Sequence, residues 1–395
     1  MELLALVQRL GPVASFPFKG EQVLLASSPE AVRHVLARHP DRYAKRSPRT
    51  RFLLGEGIIP ASGESWLRQR RTLRPHFVPR ALGRYEEAMR GATEDVARRW
   101  ARSAALGRPR DIGTDLRRYS LDVIWRCLTG AAGDEATYRD LDTVNAVFNA
   151  VPALPGKNPE LPPDVVAGIA TVHGVVDRAI RDARHDDRVD LWLPMLLSTP
   201  GLDDRAVRDQ VLNLVVAGYE TTGHTLLWIF TLLDRHPRER DRVLAAGPPG
   251  SPARTAALRA LVDEALRLYP VAWLLRRNAL SDDVLCGYRV DAGTAVMMSP
   301  YLTQRDPALW PEPERFAPER FTGRRPARPG AYFPFGTGAR ACLGTQFAHR
   351  ETAILLDRLL TDFDVRLHRV PEPVFGLTIH PDDALPATLT AASVT

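Results

Sequence analysis

Apolar and polar residues follow different spacings along the chain, and the first 245 residues pass from strand-like to helical spacing. Two short segments, "VASFPF" and "EQVLLAS", have the composition and alternation of strands. Apolar residues then recur at helical spacing over 29–38, which predicts a helix. From about 64 to 245 the spacing is mostly helical, apart from a Pro-rich loop at 152–163, and Asp or Ser residues mark helix starts.

The last third of the chain mixes both patterns. Residues 280–300 alternate and turn like strands, whereas 305–334 contain seven prolines and little periodicity, which predicts a long ordered loop. Helical spacing returns after Cys342, and the tail at 370–392 has the pattern of a hairpin. The whole pattern predicts a mainly α fold with a small β part.

Composition narrows the class of protein. The 395 residues are 45% hydrophobic and 25% charged, as in ordinary globular proteins. The three cysteines, Cys127, Cys286 and Cys342, show no C-x-x-C spacing, which argues against a disulfide scaffold or a zinc site and fits a reducing compartment. No signal peptide is recognisable, and no segment approaches the ~18 apolar residues of a membrane-spanning helix. We expect a cytoplasmic protein with no membrane span.

The distribution of charged residues along the sequence argues against a nucleic-acid partner. Net charge is +6, from 50 Arg and 3 Lys against 47 acids. Nucleic-acid-binding proteins usually concentrate basic residues in clusters, whereas these arginines are scattered among acids. The charge therefore predicts a solvated, Arg-rich surface and no nucleic-acid partner. A modest basic face for an acidic protein partner is the alternative.

One helical segment, "RDQVLNLVVAGYETTGHTLLWIFTLL", is apolar nearly all round at its ends, which is typical of a buried central helix. Its middle nevertheless carries Gly218, Glu220, Thr221, Thr222 and His224. Gly inside a helix costs about 1 kcal/mol relative to Ala, and buried polar groups cost more unless they are satisfied. Either the threonines bond back to their own helix and bend it, or the helix is opened for a small ligand beside an acid and a hydroxyl.

Two further segments predict a loop that side chains hold in place. In "LVDEALRLYP", Glu264 and Arg267 are three residues apart, so they face the same side of a helix and can pair. The segment "WPEPERFAPERF" contains Pro-Glu-Arg-Phe twice, and Pro removes a backbone donor, so such a loop needs side chains to fix it. Arg320 or Arg315 could fix it by reaching the Glu264–Arg267 pair.

The stretch "YFPFGTGARACLGTQF" places Phe335, Gly338, Arg340, Cys342 and Gly344 in one short loop before a helix. A lone Cys is usually a small buried hydrophobe, but glycines on both sides suggest a broad group that lies against the backbone. The start of the following helix and Arg340 would both favour a thiolate. A thiolate in such a loop suits an axial ligand to haem iron.

Together these motifs resemble those of the cytochrome P450 family, the haem-thiolate monooxygenases. The matching segments are "WLRQR" at 66–70, "AGYETT" at 217–222, "EALR" at 264–267, "PERF" at 318–321 and "FGTGARACLG" at 335–344. The resemblance implies the cytochrome P450 fold, with haem b between a long central helix and the Cys loop. It also implies a single haem domain over 1–395, with a β-rich part at about 1–60 and 280–300 and a helical core at about 64–270 and 343–363.

The resemblance also assigns roles to residues of the haem site. Cys342 looks like the iron ligand. The other residues implied to contact haem are the propionate partners Trp66, Arg70, Arg277 and Arg340, together with Phe335, Gly344, Ala217 and Gly218. Guanidinium groups suit propionates because they stay charged and bind in a fork. Arg276, next to Arg277, is an alternative propionate partner.

The reaction implied is the insertion of one atom of O2 into an apolar substrate. Glu220 and Thr221 resemble the family's proton-delivering acid–alcohol pair, and Glu264, Arg267 and Arg320 resemble the triad that supports the Cys loop. No flavin or ferredoxin segment is recognisable, so electrons would come from a ferredoxin and its ferredoxin reductase. The alternatives are a peroxide-driven enzyme or a sensory haem-thiolate protein, and the Glu220–Thr221 pair argues against both because proton delivery serves O2 activation.

The substrate pocket is expected to be apolar. The residues expected to line it are Phe52, Leu53, Ile58, Ile59, Val215, Trp273, Leu274, Met297 and Phe375. No buried Arg or Lys stands out to hold a carboxylate. The stretches "GESWLRQRR", "SPYLTQRD" and "RPGAYFPFGTGARACLG" resemble bacterial members that hydroxylate carotenoid rings. This resemblance predicts a carotenoid or other terpenoid as substrate, with fatty acids second.

Overall fold

The computed structural model describes residues 11–18, 20–45, 50–150, 160–184, 190–323, 328–382 and 384–392. In chain order its α-helices are α1 (Pro29–Arg33), α2 (Arg51–Leu54), α3 (Gly63–Leu73), α4 (Glu86–Ala105), α5 (Ile112–Thr129), α6 (Glu135–Ala150), α7 (Pro163–Ala183), α8 (Trp192–Leu197), α9 (Asp204–Arg235), α10 (Pro237–Ala245), α11 (Pro252–Leu268), α12 (Pro300–Thr303) and α13 (Thr345–Asp362). A π-helical turn at His34–Arg38 and 3-10 turns at Arg74–His76, Pro79–Tyr85, Pro318–Phe321 and Gly338–Arg340 accompany them.

The strands are short and lie mostly near the two ends of the chain. They are β1 (Val13–Phe18), β2 (Glu21–Ala26), β3 (Tyr43–Ala44), β4 (Arg110–Asp111), β5 (Leu275–Ala279), β6 (Asp283–Leu285), β7 (Tyr288–Val290), β8 (Ala295–Met298), β9 (Phe363–Leu367), β10 (Pro373–Phe375), β11 (Ile379–Pro381) and β12 (Pro386–Ala391). The prediction of a mainly α fold with a small β part is therefore confirmed.

Helices begin where the sequence supplies an acceptor for the first free N–H groups. At the start of α1, Ser28 Oγ accepts a hydrogen bond from Ala31 N. At the start of α5, the Asp111 side chain accepts one from Gly113 N. The Ser and Asp signals for helix starts are thus confirmed at these two positions.

The chain forms two compact units, each made of three segments, and one of the boundaries between segments falls within α9. The first unit comprises Met1–Arg46, Trp228–Thr345 and Glu372–Asp382, and the second comprises Ser47–Leu227, Gln346–Pro371 and Asp383–Thr395.

The first unit is built on a five-stranded sheet with the strand order β1-β2-β8-β5-β3. β2 and β8 run parallel, and the other neighbouring strands run antiparallel. Because successive side chains of a strand point to opposite faces, β8 contributes to two clusters. Met298 packs with Val32 of α1, whereas Met297 packs with Val23 and Leu302. The sheet therefore has apolar packing on both faces.

The second unit is mainly helical. α4 packs on α5 and α6 packs on α7, and β4, β12 and β9 form a small sheet in the order β4-β12-β9. Its core contains an aromatic cluster around Trp192, which is 1% exposed. The ring centroids of Phe77, Tyr85 and Phe347 lie 5.1, 5.2 and 5.3 Å from that of Trp192. These contacts bury the first apolar residue of α13.

Two predicted elements differ from the structure in detail. The helix predicted over 29–38 is α-helical only to Arg33 and continues as a π-helical turn. The hairpin predicted over 370–392 is wrong in its second half, because β12 pairs with β9 and β4 whereas β10 pairs with β11. The Pro-rich loop predicted at 152–163 falls largely outside the described residues.

The longest helix, α9, has 32 residues. Neither it nor any other helix in the described ranges is both long enough and apolar enough to cross a membrane.

Candidate active site

Cys342 lies at an exposed position in the short loop before α13, in the first unit. Its backbone N–H donates to Phe335 O at 2.9 Å. Its carbonyl oxygen accepts a hydrogen bond from Thr345 Oγ1 at 3.0 Å. These two bonds hold the backbone on both sides of the Cys342 side chain.

Glycine occupies three positions of the Cys loop for different physical reasons. Gly336 and Gly338 have φ values of +68° and +74°, a region that favours glycine. A Cβ on Gly338 would also lie 1.9 Å from Leu36 O. A Cβ on Gly344, by contrast, would lie 3.8 Å from Cys342 Sγ, an ordinary contact. Packing within the protein therefore does not require a glycine at 344. The missing side chain instead leaves space beside the sulfur atom, which a flat group lying against the loop would need.

Arg277 of β5 is a buried cation in the same unit. It is 8% exposed, and burial, with a smaller contribution from the charge of Arg340, lowers the pKa of Arg277 to about 10. The preceding residue, Arg276, is on the opposite side of the strand and pairs with Glu21 at 2.7 Å. This arrangement favours Arg277 over Arg276 as the partner of a buried anion.

Lys45, which was not recognised in the sequence, lies close to Arg277 and Arg340 and forms a group of cations with them. β3 and β5 are antiparallel with Ala44 opposite Asn278, so the next pair in the register places Lys45 opposite Arg277. Burial, and then the charges of Arg277 and Arg340, lower the pKa of Lys45 to about 8. Within the described residues no carboxylate bonds to Lys45 or Arg277. Because like charges opposite each other destabilise a sheet, this cation group fits a dianionic ligand such as a haem with two propionates.

Glu264 and Arg267 of α11 form a fully buried ion pair in the first unit. Arg267 donates to the two carboxylate oxygens at 2.7 and 2.8 Å, and both side chains are 0% exposed. Its other donors bond to the carbonyl oxygens of Gln304, Pro313 and Arg315 at 3.0, 2.7 and 3.0 Å. The pair thus fixes the Pro-rich loop to α11 through the loop backbone.

Of the two arginines considered for this loop, Arg320 reaches the pair. Its Nε lies 3.4 Å from Glu264 Oε1. The Arg315 side chain instead bonds to Glu312 at 3.1 Å and to Glu319 on the surface. Glu264, Arg267 and Arg320 therefore lie together, and Arg315 contributes only its carbonyl group.

Gln304, which sequence analysis also overlooked, links α11 to the segment before Cys342. Its Nε2 donates to the carbonyl oxygens of Leu266 and Arg267 at 3.0 and 3.1 Å, and its Oε1 accepts from Phe333 N at 2.9 Å. Gln304 is 0% exposed. No local pattern marks it, because its partners are 38, 37 and 29 residues away in sequence.

The predicted pocket residues of the first unit fall into two groups. The ring centroids of Trp273 and Phe375 are 5.3 Å apart, and Tyr301 lies 5.0 Å from Phe375. Phe375 remains 44% exposed. Met297 is instead buried in a cluster of the sheet, with Leu274 packed against it. Trp273 and Phe375 thus form one aromatic surface, and the pocket role of all four residues stays a prediction.

In the second unit, α9 has one open side in an otherwise buried stretch. Ala217 is exposed and Gly218 and Thr221 are partly exposed, whereas every other residue of 211–227 is buried. Residues four apart lie on the same side of a helix, so the three form one patch. The helix is continuous over Asp204–Arg235. The prediction that the helix itself is opened is therefore wrong. The helix is unbroken, and on this side it is not covered by neighbouring parts of the structure.

Close packing explains the glycine at position 218. A Cβ at this position would lie 2.4 Å from Ile124 Cδ1 of α5. The glycine therefore lets α5 and α9 approach closely, and its predicted contact with haem stays a prediction.

Thr221 and Glu220 point in different directions from α9. Thr221 Oγ1 donates to Ala217 O at 2.6 Å, which is the back-bond to its own helix considered above. Glu220 is 2% exposed and accepts a hydrogen bond from the exposed Asn149 at 3.4 Å. His224 Nδ1 lies 4.0 Å from the same carboxylate oxygen. The acid therefore connects the interior of the second unit to a surface side chain.

Thr222 has a partner that sequence analysis missed. Its Oγ1 donates to Glu351 Oε1 of α13 at 2.6 Å. Glu351 is 1% exposed, and burial raises its pKa to about 8 against the opposing effect of the hydrogen bond from Thr222. Among the described residues, Glu351 Oε2 has no hydrogen-bond partner. Burial therefore favours the protonated form of Glu351, next to the polar part of α9.

The remaining predicted residues of the second unit lie on α3, on α9 and in the segment before α3. Trp66 and Arg70 are half-buried one turn apart, with the Arg70 guanidinium carbon 5.5 Å from the Trp66 ring centroid. The predicted pocket residues here are Phe52, which is 39% exposed, the buried Leu53 and Val215, and the half-buried Ile58 and Ile59.

Comparisons with known proteins agree on one family. A family model described as cytochrome P450 matches residues 2–382. Pentalenene oxygenase of Streptomyces avermitilis is 31% identical over 414 residues, which cover 97% of this chain and 89% of that protein. Cyclooctat-9-en-7-ol 5-monooxygenase of Streptomyces melanosporofaciens is 31% identical over 400 residues, covering 94% and 83%. A crystal structure of the cytochrome P450DA haem domain superposes with a TM-score of 0.88 at 26% identity, covering 98% of this chain and 92% of that one.

The raised pKa of Glu351 predicts a pH-dependent stability. The folded protein holds this proton to about pH 8, whereas the unfolded chain loses it near its ordinary value of 4.5. Stability should therefore fall as the pH rises from about 4.5 to about 8. Glu351→Gln, which stays neutral, should lose less stability over this interval than the wild type, measured by thermal unfolding.

The matched control is Glu94→Gln, which removes a carboxylate that pairs with Arg358 on the surface. Its pH profile should run parallel to that of the wild type. Parallel profiles for Glu351→Gln and the wild type would contradict a protonated Glu351.

Proposed function

The chain belongs to the cytochrome P450 family and is a haem b monooxygenase, and we propose that it hydroxylates a terpenoid with electrons from a separate ferredoxin. The observation that carries the proposal is the exposed Cys342 in a loop whose backbone is hydrogen-bonded on both sides of it. The named relatives support the substrate class, since they are an oxygenase named for pentalenene and a monooxygenase named for cyclooctat-9-en-7-ol.

Several residues of the chain would hold the haem. When bound, haem supplies O2 activation at its iron. Cys342 is assigned as the thiolate ligand, a type that pushes electron density to the metal. Within the first unit, the propionates are assigned to the cations Arg277, Arg340 and Lys45. For Trp66 and Arg70, a propionate role is proposed from the sequence motif alone. Guanidinium groups stay charged when buried, which suits them to this role.

The acid–alcohol pair is assigned to proton handling. The Thr221 hydroxyl donates its hydrogen to Ala217 O. Its oxygen can therefore act only as a hydrogen-bond acceptor toward the open side of α9. Thr221 would thereby hold a proton-bearing group in a fixed position. Glu220, bonded to the exposed Asn149, is placed to exchange protons with solvent.

Apolar surfaces support a hydrocarbon substrate. Trp273 and Phe375 present aromatic rings, and Phe52, Ile58 and Ile59 are partly exposed. The relatives' names favour a terpenoid in general, and a carotenoid is the narrower alternative that the sequence motifs suggest. A fatty acid ranks below both, since it would need a cation for its carboxylate.

A basic surface of the second unit supports an acidic electron donor. Five exposed arginines lie on α3 and the turns after it: Arg68, Arg71, Arg74, Arg80 and Arg84. In the described ranges none of them forms an ion pair. Such a surface attracts an acidic protein over long range, which favours a ferredoxin that receives its electrons from a ferredoxin reductase.

Substrate class can be tested by binding spectra. The ferric holoprotein should show a saturable shift of its haem spectrum with pentalenene, and a weaker shift or none with palmitic acid. β-Carotene separates the two terpenoid alternatives. Saturable binding of palmitic acid alone would contradict the proposal.

Thr221→Ala should uncouple reductant use from product formation. Haem content and CO binding should stay unchanged, while hydrogen peroxide released per reductant consumed should rise severalfold, because the positioned oxygen acceptor is lost. Peroxide yield is the measurement.

Thr225→Ala is the matched control, because Thr225 Oγ1 makes the same kind of back-bond, to Thr221 O at 2.9 Å, while it is 8% exposed. This variant should stay coupled. If both variants leak peroxide alike, the threonines act through the shape of the helix and the catalytic assignment fails.

A further inference from the structure

Two buried side chains near the start of α9 hold the loop that joins α2 to α3, here called the 54–59 loop. Asp209 Oδ2 accepts a hydrogen bond from Glu56 N at 2.8 Å, and Asn213 Oδ1 accepts one from Ile59 N at 2.8 Å. Asn213 Nδ2 donates to Leu54 O at 2.9 Å. The loop backbone is thus bonded at three points to two side chains one turn apart.

The fit between loop and helix is sterically close. A Cβ on Gly55 would lie 2.2 Å from the carboxyl group of Asp209, and a Cβ on Gly57 would lie 2.0 Å from Asn213 Nδ2. Asp209 and Asn213 are 7% and 1% exposed. Two glycines in three residues therefore let the loop backbone touch these buried polar groups and form three hydrogen bonds with them.

The identity of Asn213 is specific to this arrangement. Its amide nitrogen donates to Leu54 O and to Asp209 O at 2.9 and 2.6 Å, while its oxygen accepts from Ile59 N. An aspartate of the same shape would place a carboxylate oxygen against two carbonyl oxygens. An Asp at 209, by contrast, uses only its acceptor, so asparagine can replace it there.

We propose that Asp209 and Asn213 are positioning residues that determine substrate specificity, because they fix the loop that carries Ile58 and Ile59 and follows Phe52 and Leu53. Neither residue needs to touch substrate. They act by keeping the apolar side chains of the loop in one arrangement. The inference rests on the proposed function, in which these apolar residues line the substrate pocket.

The experiment compares Asn213→Asp with two controls in the haem-loaded protein. Asp209→Asn keeps an acceptor for Glu56 N and is the conservative variant. Arg208→Gln alters the same turn of α9 but loses a pair with Asp177 at 2.5 Å that does not involve the loop. If Asn213→Asp fails to fold, Gly57→Ala displaces the same loop from the other side.

Hydrogen exchange gives the first readout. The amides of Glu56 and Ile59 should exchange faster in Asn213→Asp than in the wild type and both controls, whereas amides of α13 should not change. Unchanged exchange in the 54–59 loop would overturn the proposal.

Azole binding gives the second readout. Imidazole is small enough to bind haem iron without reaching the loop, whereas clotrimazole fills a pocket. The loss of one well-placed hydrogen bond predicts that the Kd of clotrimazole rises about tenfold in Asn213→Asp, while that of imidazole is unchanged.

An equal change in both constants would overturn the inference while leaving the proposed function intact. No spectral shift with either azole in the wild type would instead contradict the proposed function, and the inference with it.

Discussion

The buried ion pair between Glu264 and Arg267 is the interaction on which the first unit's site depends. Burying two charges is costly unless their remaining hydrogen-bonding capacity is used, and here it is used by the loop backbone. Arg267 donates to two loop carbonyl oxygens and to that of Gln304 just before the loop, and Glu264 accepts from Ala317 N at 2.9 Å. The described parts of the loop, 305–323 and 328–334, have little regular structure, so these contacts replace the backbone ladder of a helix or sheet. Gln304 extends the same network to Phe333, two residues before the loop of Cys342 begins.

A second constraint is the distribution of charge around the buried cations. Lys45, the residue after β3, and Arg277 of β5 are close enough for the charge of Arg277 to lower the pKa of Lys45, and burial lowers the pKa of both, although acids are abundant in the chain. A protein that only needed a stable sheet would place a carboxylate or an apolar residue here. Placing cations together is favourable when an anion binds between them, so the folding of this edge and cofactor binding are coupled by mass action.

Sequence spacing predicted the contacts that depend on neighbouring residues. Glu264 with Arg267, the helix starts and the glycine-rich Cys loop all follow from local geometry. Lys45, Gln304 and Glu351 could not be found in this way, because their partners come from strand register or from another helix. The opened helix was a wrong prediction for a related reason. Gly218 suggested an opening in the helix, whereas in the structure it allows Ile124 to approach closely. A glycine in the sequence fits either role, and only the neighbouring helix shows which one applies.

We propose that Cys342 supplies a thiolate to haem iron, from a loop whose preceding segment Gln304 joins to α11. The CO difference spectrum of the reduced holoprotein tests this ligation, since a thiolate shifts the haem band far to the red. We expect the red-shifted band for the wild type and its replacement by the band of nitrogen-ligated haem in Cys342→His. A wild-type spectrum without the red-shifted band, or a Cys342→His variant that keeps it, would rule out Cys342 as the ligand.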